Sequence, residues 1–294
     1  MRISTAFQYE NAIGRVRDAQ AQMFKMQNQV MTGMKFTTAR EDPIGAAHVM
    51  TTSSFRNRIA QLQKNITSAK DYLGHTENVM ADVTDMMRSA YSLAIQGASA
   101  AVDTEARVAM GNQIEILQRR LVELANTQGS QGQYVFAGHM SNNKPFANSP
   151  PNITFHGDQG AIVSEIRPAE VMITNFTGAR DLFFNLYNSL EKLQNNLISG
   201  NVTQISNQNI AEIQRYMGNV SQVRADAGAK IQSLTKVEAQ NIRRLDDLKQ
   251  DIADVQEVDL AEALTRYQSA ETAYTAALQM TAKGFELSLM DFLR

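Results

Sequence analysis

Apolar residues recur at alternating steps of four and three along the stretch from Pro43 to about Gly97. This pattern predicts one long amphipathic helix whose apolar seam packs lengthwise against another helix. Asp42 suits the N-cap and Pro43 the first helical position, so we expect the helix to begin there. At 1.5 Å per residue the rod would be ~80 Å long and would need a partner of similar length. The two rows of its seam are Ile59, Ile66, Leu73, Met80, Met87, Ala94 and Phe55, Leu62, Ala69, Thr76, Val83, Ala90.

A second stretch of about the same length, residues 203–257, carries the same periodicity. Only Arg224, Glu238 and Asn241 interrupt its two apolar rows. We therefore expect residues 43–97 and 203–257 to pack antiparallel as one extended bundle. The rows are Ile210, Met217, Arg224, Ile231, Glu238, Leu245, Ile252 and Ile213, Val220, Ala227, Leu234, Asn241, Leu248, Val255. The predicted rod core is Phe55, Ile59, Leu62, Ile66, Leu73, Met80, Val83, Ile213, Val220, Ile231, Leu234, Leu248 and Ile252.

Weaker amphipathic patterns occupy the two ends of the chain. Residues 5–33 predict a first helix with one row of Tyr9, Val16, Met23, Val30 and another of Ala6, Ile13, Gln20, Gln27. Half of the second row is small or polar, so this helix is expected to order on assembly, although an ordinary surface helix is the alternative. Near Glu257 the register changes, and Asp259 with Glu262 predicts the start of a last helix. Its phase is Leu260, Leu264, Tyr267, Tyr274, Leu278, Phe285.

The final residues are unusually apolar for a chain end, which predicts that they are buried in an assembly. The predicted assembly interface is Ile3, Phe7, Ile13, Val16, Met23, Val30, Leu264, Tyr267, Tyr274, Leu278, Phe285, Leu289 and Phe292.

The middle of the chain changes character. Apolar spacing predicts helices from Asp103 to about Gln128 and from Asp181 to about Gly200. Between them, proline, glycine and short β-rich runs at 134–136, 153–155, 161–166 and 171–173 predict a small β-rich insert. The fold class is therefore mainly α, a long antiparallel helical rod with that insert. We predict three domains: 1–42 with 258–294 for assembly, 43–129 with 179–257 for the rod, and 130–178 for the insert.

Composition excludes several classes of function. The chain has 294 residues, a net charge of −2 and no cysteine. The missing cysteines exclude disulfides and thiolate metal sites, and the weak charge disfavours binding to nucleic acid or anionic membrane. No apolar run is long enough for a transmembrane helix. The N-terminus lacks a signal-peptide pattern, so secretion would need a route without a cleavable signal.

No motif for catalysis or cofactor binding is present. The four histidines, His48, His75, His139 and His156, do not follow a metal-ligand spacing such as HExxH. His139 and His156 could meet within the insert, but a metal site there is the less favoured interpretation. Phosphate-binding and nucleophile motifs are absent from the sequence as well. We expect no catalytic residues, no metal and no cofactor.

Four short motifs resemble the flagellin superfamily of bacterial flagella, and within it the members at the hook–filament junction. They are MRIST at the start, QNQVMTG (27–33) followed by Glu41-Asp42-Pro43, GQYVFAG (132–138) with KPF after it, and SLMDFL (288–293) at the end. The resemblance extends over essentially the whole chain. Gly45 departs from the family pattern, since a stronger helix former is expected there.

The resemblance implies a structural adaptor for motility. Its terminal helices would pair in an inner coiled coil, the rods would form the next shell, and the insert would face outward. The expected partners are other copies in a ring, a neighbouring hook-associated protein, flagellin, and an export chaperone on the C-terminal segment. Type III export would place the chain outside the cell in the flagellum. The alternatives are filament flagellin, or a secreted helical effector or translocator, which would need a membrane-active helix that the sequence lacks.

Overall fold

The computed structural model describes the backbone of residues 2–149 and 152–292, and the side chains of residues 7, 9–147 and 153–284. It confirms the mainly helical class. The helices are α1 (Arg2–Thr32), α2 (Pro43–Gly97), α3 (Thr104–Ala125), α4 (Ala179–Ile198), α5 (Val202–Gln204), α6 (Ile210–Gln256) and α7 (Leu260–Phe292). A π-helical turn, Ile205–Asn209, joins α5 to α6. The strands are β1 (Phe146–Ser149), β2 (Asn152–Phe155), β3 (Val163–Arg167) and β4 (Glu170–Ile173).

The chain folds into two compact units. The first, here called the terminal unit, contains the residues up to Arg58 and those from Arg244 onward. The second, the central unit, contains Ile59–Arg243. The boundary after Arg58 falls within α2 and the one before Arg244 falls within α6, so each of these helices contributes residues to both units.

Carboxylates cap three helices where the sequence predicted helix starts. Asp42 Oδ1 accepts from the backbone N–H of Gly45 at 2.9 Å, and Asp103 Oδ1 accepts from Ala106 N at 2.7 Å. Asp259 Oδ1 accepts from Ala261 N at 2.8 Å. Each bond satisfies an amide that the helix itself leaves without a partner. The first helix begins earlier than expected, at Arg2 instead of residue 5.

Gly45 has a steric explanation. A Cβ at this position would lie 2.5 Å from Asp42 Oδ2 and 2.9 Å from Cε1 of the buried Phe36. The cap and the aromatic ring therefore occupy the space that any larger side chain would need. The glycine therefore leaves room for the Asp42 cap and the Phe36 ring at the first turn of α2.

In the central unit, α2 and α6 run antiparallel, as expected. Moving along α2 from Gln63 to Tyr91, the hydrogen-bonded partners on α6 move backwards from Glu238 to Gln214. The Gln63 Nε2–Glu238 Oε1 distance is 3.0 Å, and the Gln214 Nε2–Tyr91 hydroxyl distance is 2.7 Å.

The main core of this unit lies where α3 and α4 join the two rods. Phe183 of α4 contacts two rings from the insert, Phe136 at 5.1 Å and Phe146 at 5.2 Å between centroids, both edge-on. These three rings are fully buried. The insert is thus anchored to the helical core by aromatic packing.

The strands differ in part from the expected ones. Residues 134–136 do not form a strand: Tyr134 makes only an isolated bridge with Gln128. The strand β1, which the sequence did not predict, pairs instead with β2 as an antiparallel hairpin, and β3 pairs with β4. Residues 146–149 read FANS, too short and too polar for the β-rich pattern to reveal them.

The α2 seam is largely buried. Of the predicted rod core, Leu62, Ile66, Leu73, Met80, Val83, Ile213, Val220, Leu234 and Leu248 are buried, while Ile59, Ile231 and Ile252 are half-buried. Phe55 is 59% exposed, so its placement in the core was wrong. This residue lies before the central unit begins, outside the part of α2 that packs in the main core.

The two predicted rows of α6 are buried to different extents. The row through Ile213 and Val220 is buried as far as Leu248, whereas the row through Ile210 is half-buried. Ile210 and Met217 of this second row still pack against the main core. Heptad spacing placed both rows on the packed side of α6 but did not predict how deeply each is buried.

Candidate assembly surfaces

Helices α1 and α7 pack against each other as an antiparallel pair in the terminal unit. The segments that join them to the rods hold their adjacent ends together by backbone hydrogen bonds. Lys35 N donates to Gln256 O at 2.7 Å, and Val258 N donates to Gly33 O at 2.9 Å. Gly33 has φ +69°, which a glycine adopts without strain.

Small residues and tyrosines form the half-buried side of α7 within this pair. Small residues let two helix backbones approach closely, while the tyrosine rings fill the space between them. The inner row of α7 is Ala263, Tyr267, Ala270, Tyr274, Ala277 and Thr281, and that of α1 is Tyr9, Ala12, Val16, Ala19, Met23, Met26 and Val30. In the predicted partner row of α1, Ile13 is 44% exposed, so its placement in the packed row was wrong, while Gln20 and Gln27 are half-buried.

Large apolar side chains cover the outer faces of the same two helices. Phe7 is 66% exposed and Phe24 is 49% exposed, and the same description applies to Ile13, Met31, Leu264, Leu278 and Met280. Ile44 and Phe55 of α2 are exposed in this unit as well. These exposed apolar side chains are the candidates for contact with another protein.

The predicted interface residues thus fall into three groups. Phe7, Ile13, Leu264 and Leu278 are exposed, and Val16, Met23, Val30, Tyr267 and Tyr274 are half-buried on α1 and α7. The side chains of Ile3, Phe285, Leu289 and Phe292 lie outside the described residues. Whether any of these residues contacts another subunit stays a prediction.

Histidines and carboxylates have structural contacts in the insert and beside it. His156 Nε2 lies 3.1 Å from Thr154 Oγ1, and His75 Nε2 lies 2.9 Å from Ser130 Oγ. Within the side chains that the structure describes, no group of His, Asp and Glu residues is arranged to hold a metal ion. None of the helices in the described range is both long and apolar enough to cross a membrane.

Asp158 organises the loop that follows the GQYVFAG motif. Its Oδ1 accepts from His139 N at 2.6 Å and from Gly160 N at 3.1 Å. The hydrogen bond from the His139 amide is the largest cause that lowers the pKa of this carboxyl, because it stabilises the charged form. The carboxylate thus fixes this turn.

Asn126 is a positioning residue that the sequence analysis did not identify. Its Oδ1 accepts from Phe146 N at 2.9 Å, and its Nδ2 donates to Phe146 O at 2.8 Å and Val122 O at 2.7 Å. One side chain thus joins the end of α3 to the start of β1. The predicted helix ran on to about Gln128, past Asn126, and the strand that Asn126 holds was not predicted.

Residues 3–141 match the family described as the bacterial flagellin N-terminal helical region. The whole chain is 23% identical to flagellar hook-associated protein 3 of Salmonella typhimurium, over 97% of this chain and 96% of that protein. The flagellar hook-associated protein 3 of Escherichia coli is 21% identical, over 99% of both chains.

Two solved structures share the fold. The flagellar hook-associated protein 3 of Legionella pneumophila has a TM-score of 0.64 at 15% identity, and the alignment covers 70% of this chain and 98% of that one. FlgL of Bacillus cereus has a TM-score of 0.58 at 20% identity, covering 68% and 99%. At these identities the likeness establishes the fold alone. The matched residues 3–141 contain α2, α3 and the GQYVFAG motif, which carried the resemblance in the sequence.

Proposed function

We propose that this protein is a structural component of the bacterial flagellum that joins the hook to the filament. The observation that carries the proposal is end-to-end similarity to two proteins named flagellar hook-associated protein 3. A match over nearly the full length of both chains includes the terminal helices as well as the insert.

The exposed faces of α1 and α7 supply the surface for such a role. Phe7, Phe24 and Leu264 remain in solvent in the single chain, and burying them between subunits would provide the driving force for association. The proposed partners are other copies in a ring, a neighbouring hook-associated protein and flagellin. A chaperone would hold the C-terminal segment before export through the flagellar type III apparatus.

The three-part division is part of this proposal. Residues 1–42 with 258–294 would serve assembly, 43–129 with 179–257 would form the rod, and 130–178 would form the outer insert. No catalytic role is assigned to any residue. Filament flagellin is the less favoured alternative, because both full-length relatives carry the hook-associated name.

Gene deletion in the source bacterium tests the proposal. Cells without the protein should keep hooks, lose filaments and release flagellin into the medium, and the intact gene should restore filaments. Cells that still grow attached filaments would contradict a junction role.

Paired surface variants test which face is used. Phe7→Ser with Phe24→Ser should abolish filament attachment while the helical content and the secreted amount stay normal. Gln22→Ser with Lys25→Ser, at exposed polar positions of the same helix, is the matched control. Normal filaments in the phenylalanine variant would exclude Phe7 and Phe24 from the assembly surface.

A further inference from the structure

The central unit has a second, smaller core that differs in composition from the main one. The main core draws its residues from α2, α3, α4, α6 and the insert. The second core contains only residues of α2, α6 and the β3–β4 hairpin: Ile66, Ala69, Leu73, Ala227, Leu234, Val237 and Ile166, with Ile231 and Met172 packed against it. Along residues 66–73 of α2 and 227–237 of α6, the β3–β4 hairpin packs against the rods, whereas α3 and α4 pack against them in the main core.

Both faces of the hairpin carry large apolar side chains, but they differ in burial. On the inner face, Ile166 is 1% exposed and Met172 is half-buried against the rods. On the outer face, Val163 is 57% and Val171 64% exposed. The pairing of Ser164 with Met172 and of Glu165 with Val171 sets this alternation.

Polar side chains fasten the hairpin to both rods. Asn65 Nδ2 of α2 donates to Glu165 O of β3 at 3.1 Å. On the other side, Lys230 Nζ of α6 donates to Ile173 O of β4 at 2.9 Å. Arg167 Nη2 of β3 also donates to Gln240 Oε1 of α6 at 3.1 Å. The hairpin therefore bridges the two helices.

Direct polar links between the rods in this stretch converge on Glu238. It accepts from Gln63 Nε2 at 3.0 Å, and its Oε2 lies 2.5 Å from Lys70 Nζ. The Lys70–Glu238 pair is about one-quarter exposed, and partly solvated pairs of this kind contribute at most about 1 kcal/mol. Asn241 Nδ2 is buried and, among the described side chains, has no hydrogen-bond partner, which disfavours the paired state.

From these contacts we infer that the β3–β4 hairpin is a strap on which the pairing of α2 with α6 depends between residues 66–73 and 227–237. When the hairpin is packed against the rods, α2 and α6 share the second core. When the hairpin detaches, α2 and α6 separate along residues 66–73 and 227–237, while the main core with α3 and α4 stays folded. The hairpin thus divides the central unit into two parts of different local stability.

Hydrogen exchange of the full-length protein tests the strap. Ile166→Ala should speed amide exchange in 66–73 and 227–237 by roughly thirtyfold or more, as expected for removing a buried isoleucine side chain. Amides of 83–94 and 213–220 should keep their rates. Val171→Ala, an apolar truncation on the outer face of the same hairpin, is the matched control and should change no rate by more than about twofold.

Two results would overturn the inference. One is unchanged exchange in 66–73 and 227–237 when Ile166 is truncated. The other is equal acceleration at 83–94, which would make the whole unit one cooperative block. If Ile166→Ala fails to fold, Ile166→Val must show the same local pattern at about threefold to tenfold, and a uniform acceleration in that variant also refutes the strap.

Discussion

Arg224 of α6 donates two hydrogen bonds to Glu77 Oε1 of α2, from Nε at 3.1 Å and from Nη2 at 2.7 Å. Arg224 is one of three polar residues that interrupt the apolar rows of the second rod. A second, Glu238, pairs with Lys70. These interruptions therefore connect the two rods at the edge of the seam.

The first prediction concerns the energy of this pair. Both side chains are about one-third exposed, at 36% and 32%, so solvent screens the charges. We expect Glu77→Ala and Arg224→Ala to show a favourable coupling of about 0.5–1 kcal/mol in a double-mutant cycle. Urea unfolding of the wild type, both single variants and the double variant measures it. A zero or unfavourable coupling would show that the contact contributes nothing.

The second prediction places a charge in the rod. Leu73 is 2% exposed, so Leu73→Asp buries a carboxylate without a partner and should lower the free energy of unfolding by about 3–5 kcal/mol. Thermal unfolding followed by circular dichroism measures the loss. Ser68→Asp, at an exposed position of the same helix, should stay within about 0.5 kcal/mol of the wild type. Equal melting temperatures for Leu73→Asp and wild type would refute the register of α2.

Long-range regularity made the rods predictable from the sequence. The row from Ile59 to Ala94 repeats over many heptads, and a capping Asp42 fixes its start, so local and long-range signals agree. The depth of burial was not predictable in the same way. Ile13 and Ile210 are equally apolar, but Ile13 is 44% exposed whereas Ile210 packs against the main core.

The assembly surface was only partly predictable for a related reason. Apolar spacing identifies which residues avoid water, but it does not distinguish a neighbour in the same chain from one in another subunit. Tyr267 and Phe7 were assigned to one interface, whereas Tyr267 is half-buried and Phe7 is exposed. The strap was missed because its fastening residues, Asn65 and Lys230, belong to different helices and have no shared sequence signal.

The third prediction concerns the turn after the GQYVFAG motif. Gly138 has φ +65°, and a Cβ there would lie 1.9 Å from Asp158 Oδ1 and 2.4 Å from Asp158 O. Gly132 has φ +76°, but no atom lies within 4 Å of its Cβ position. Both Gly→Ala variants carry backbone strain, but Gly138→Ala should cost about 1–3 kcal/mol more, since its neighbours must move. Equal losses in urea unfolding would mean that the contact with Asp158 is easily relaxed.

The fourth prediction is a pH dependence that involves Tyr72. Its hydroxyl donates to Val135 O, and burial raises the pKa of Tyr72 to about 12. The unfolded-state pKa is about 10, so the folded protein disfavours the phenolate. The resulting stability is fully present below about pH 10 and is lost as the pH rises through about 12.

Unfolding free energies from about pH 9 to 12 test this assignment. The wild type should lose stability more steeply than Tyr72→Phe, which lacks the ionisable group and the hydrogen bond. Burial also raises the pKa of Tyr187, but that residue is present in both proteins and does not affect the difference. Parallel curves would show that Tyr72 ionises as freely in the folded state as in the unfolded state.

Immunogold labelling of intact cells tests the central claim most directly. An antibody against this protein should give a single site of label on each flagellum, where the hook meets the filament. Label along the whole filament would identify it as a filament subunit instead, and label absent from flagella would contradict a structural role there.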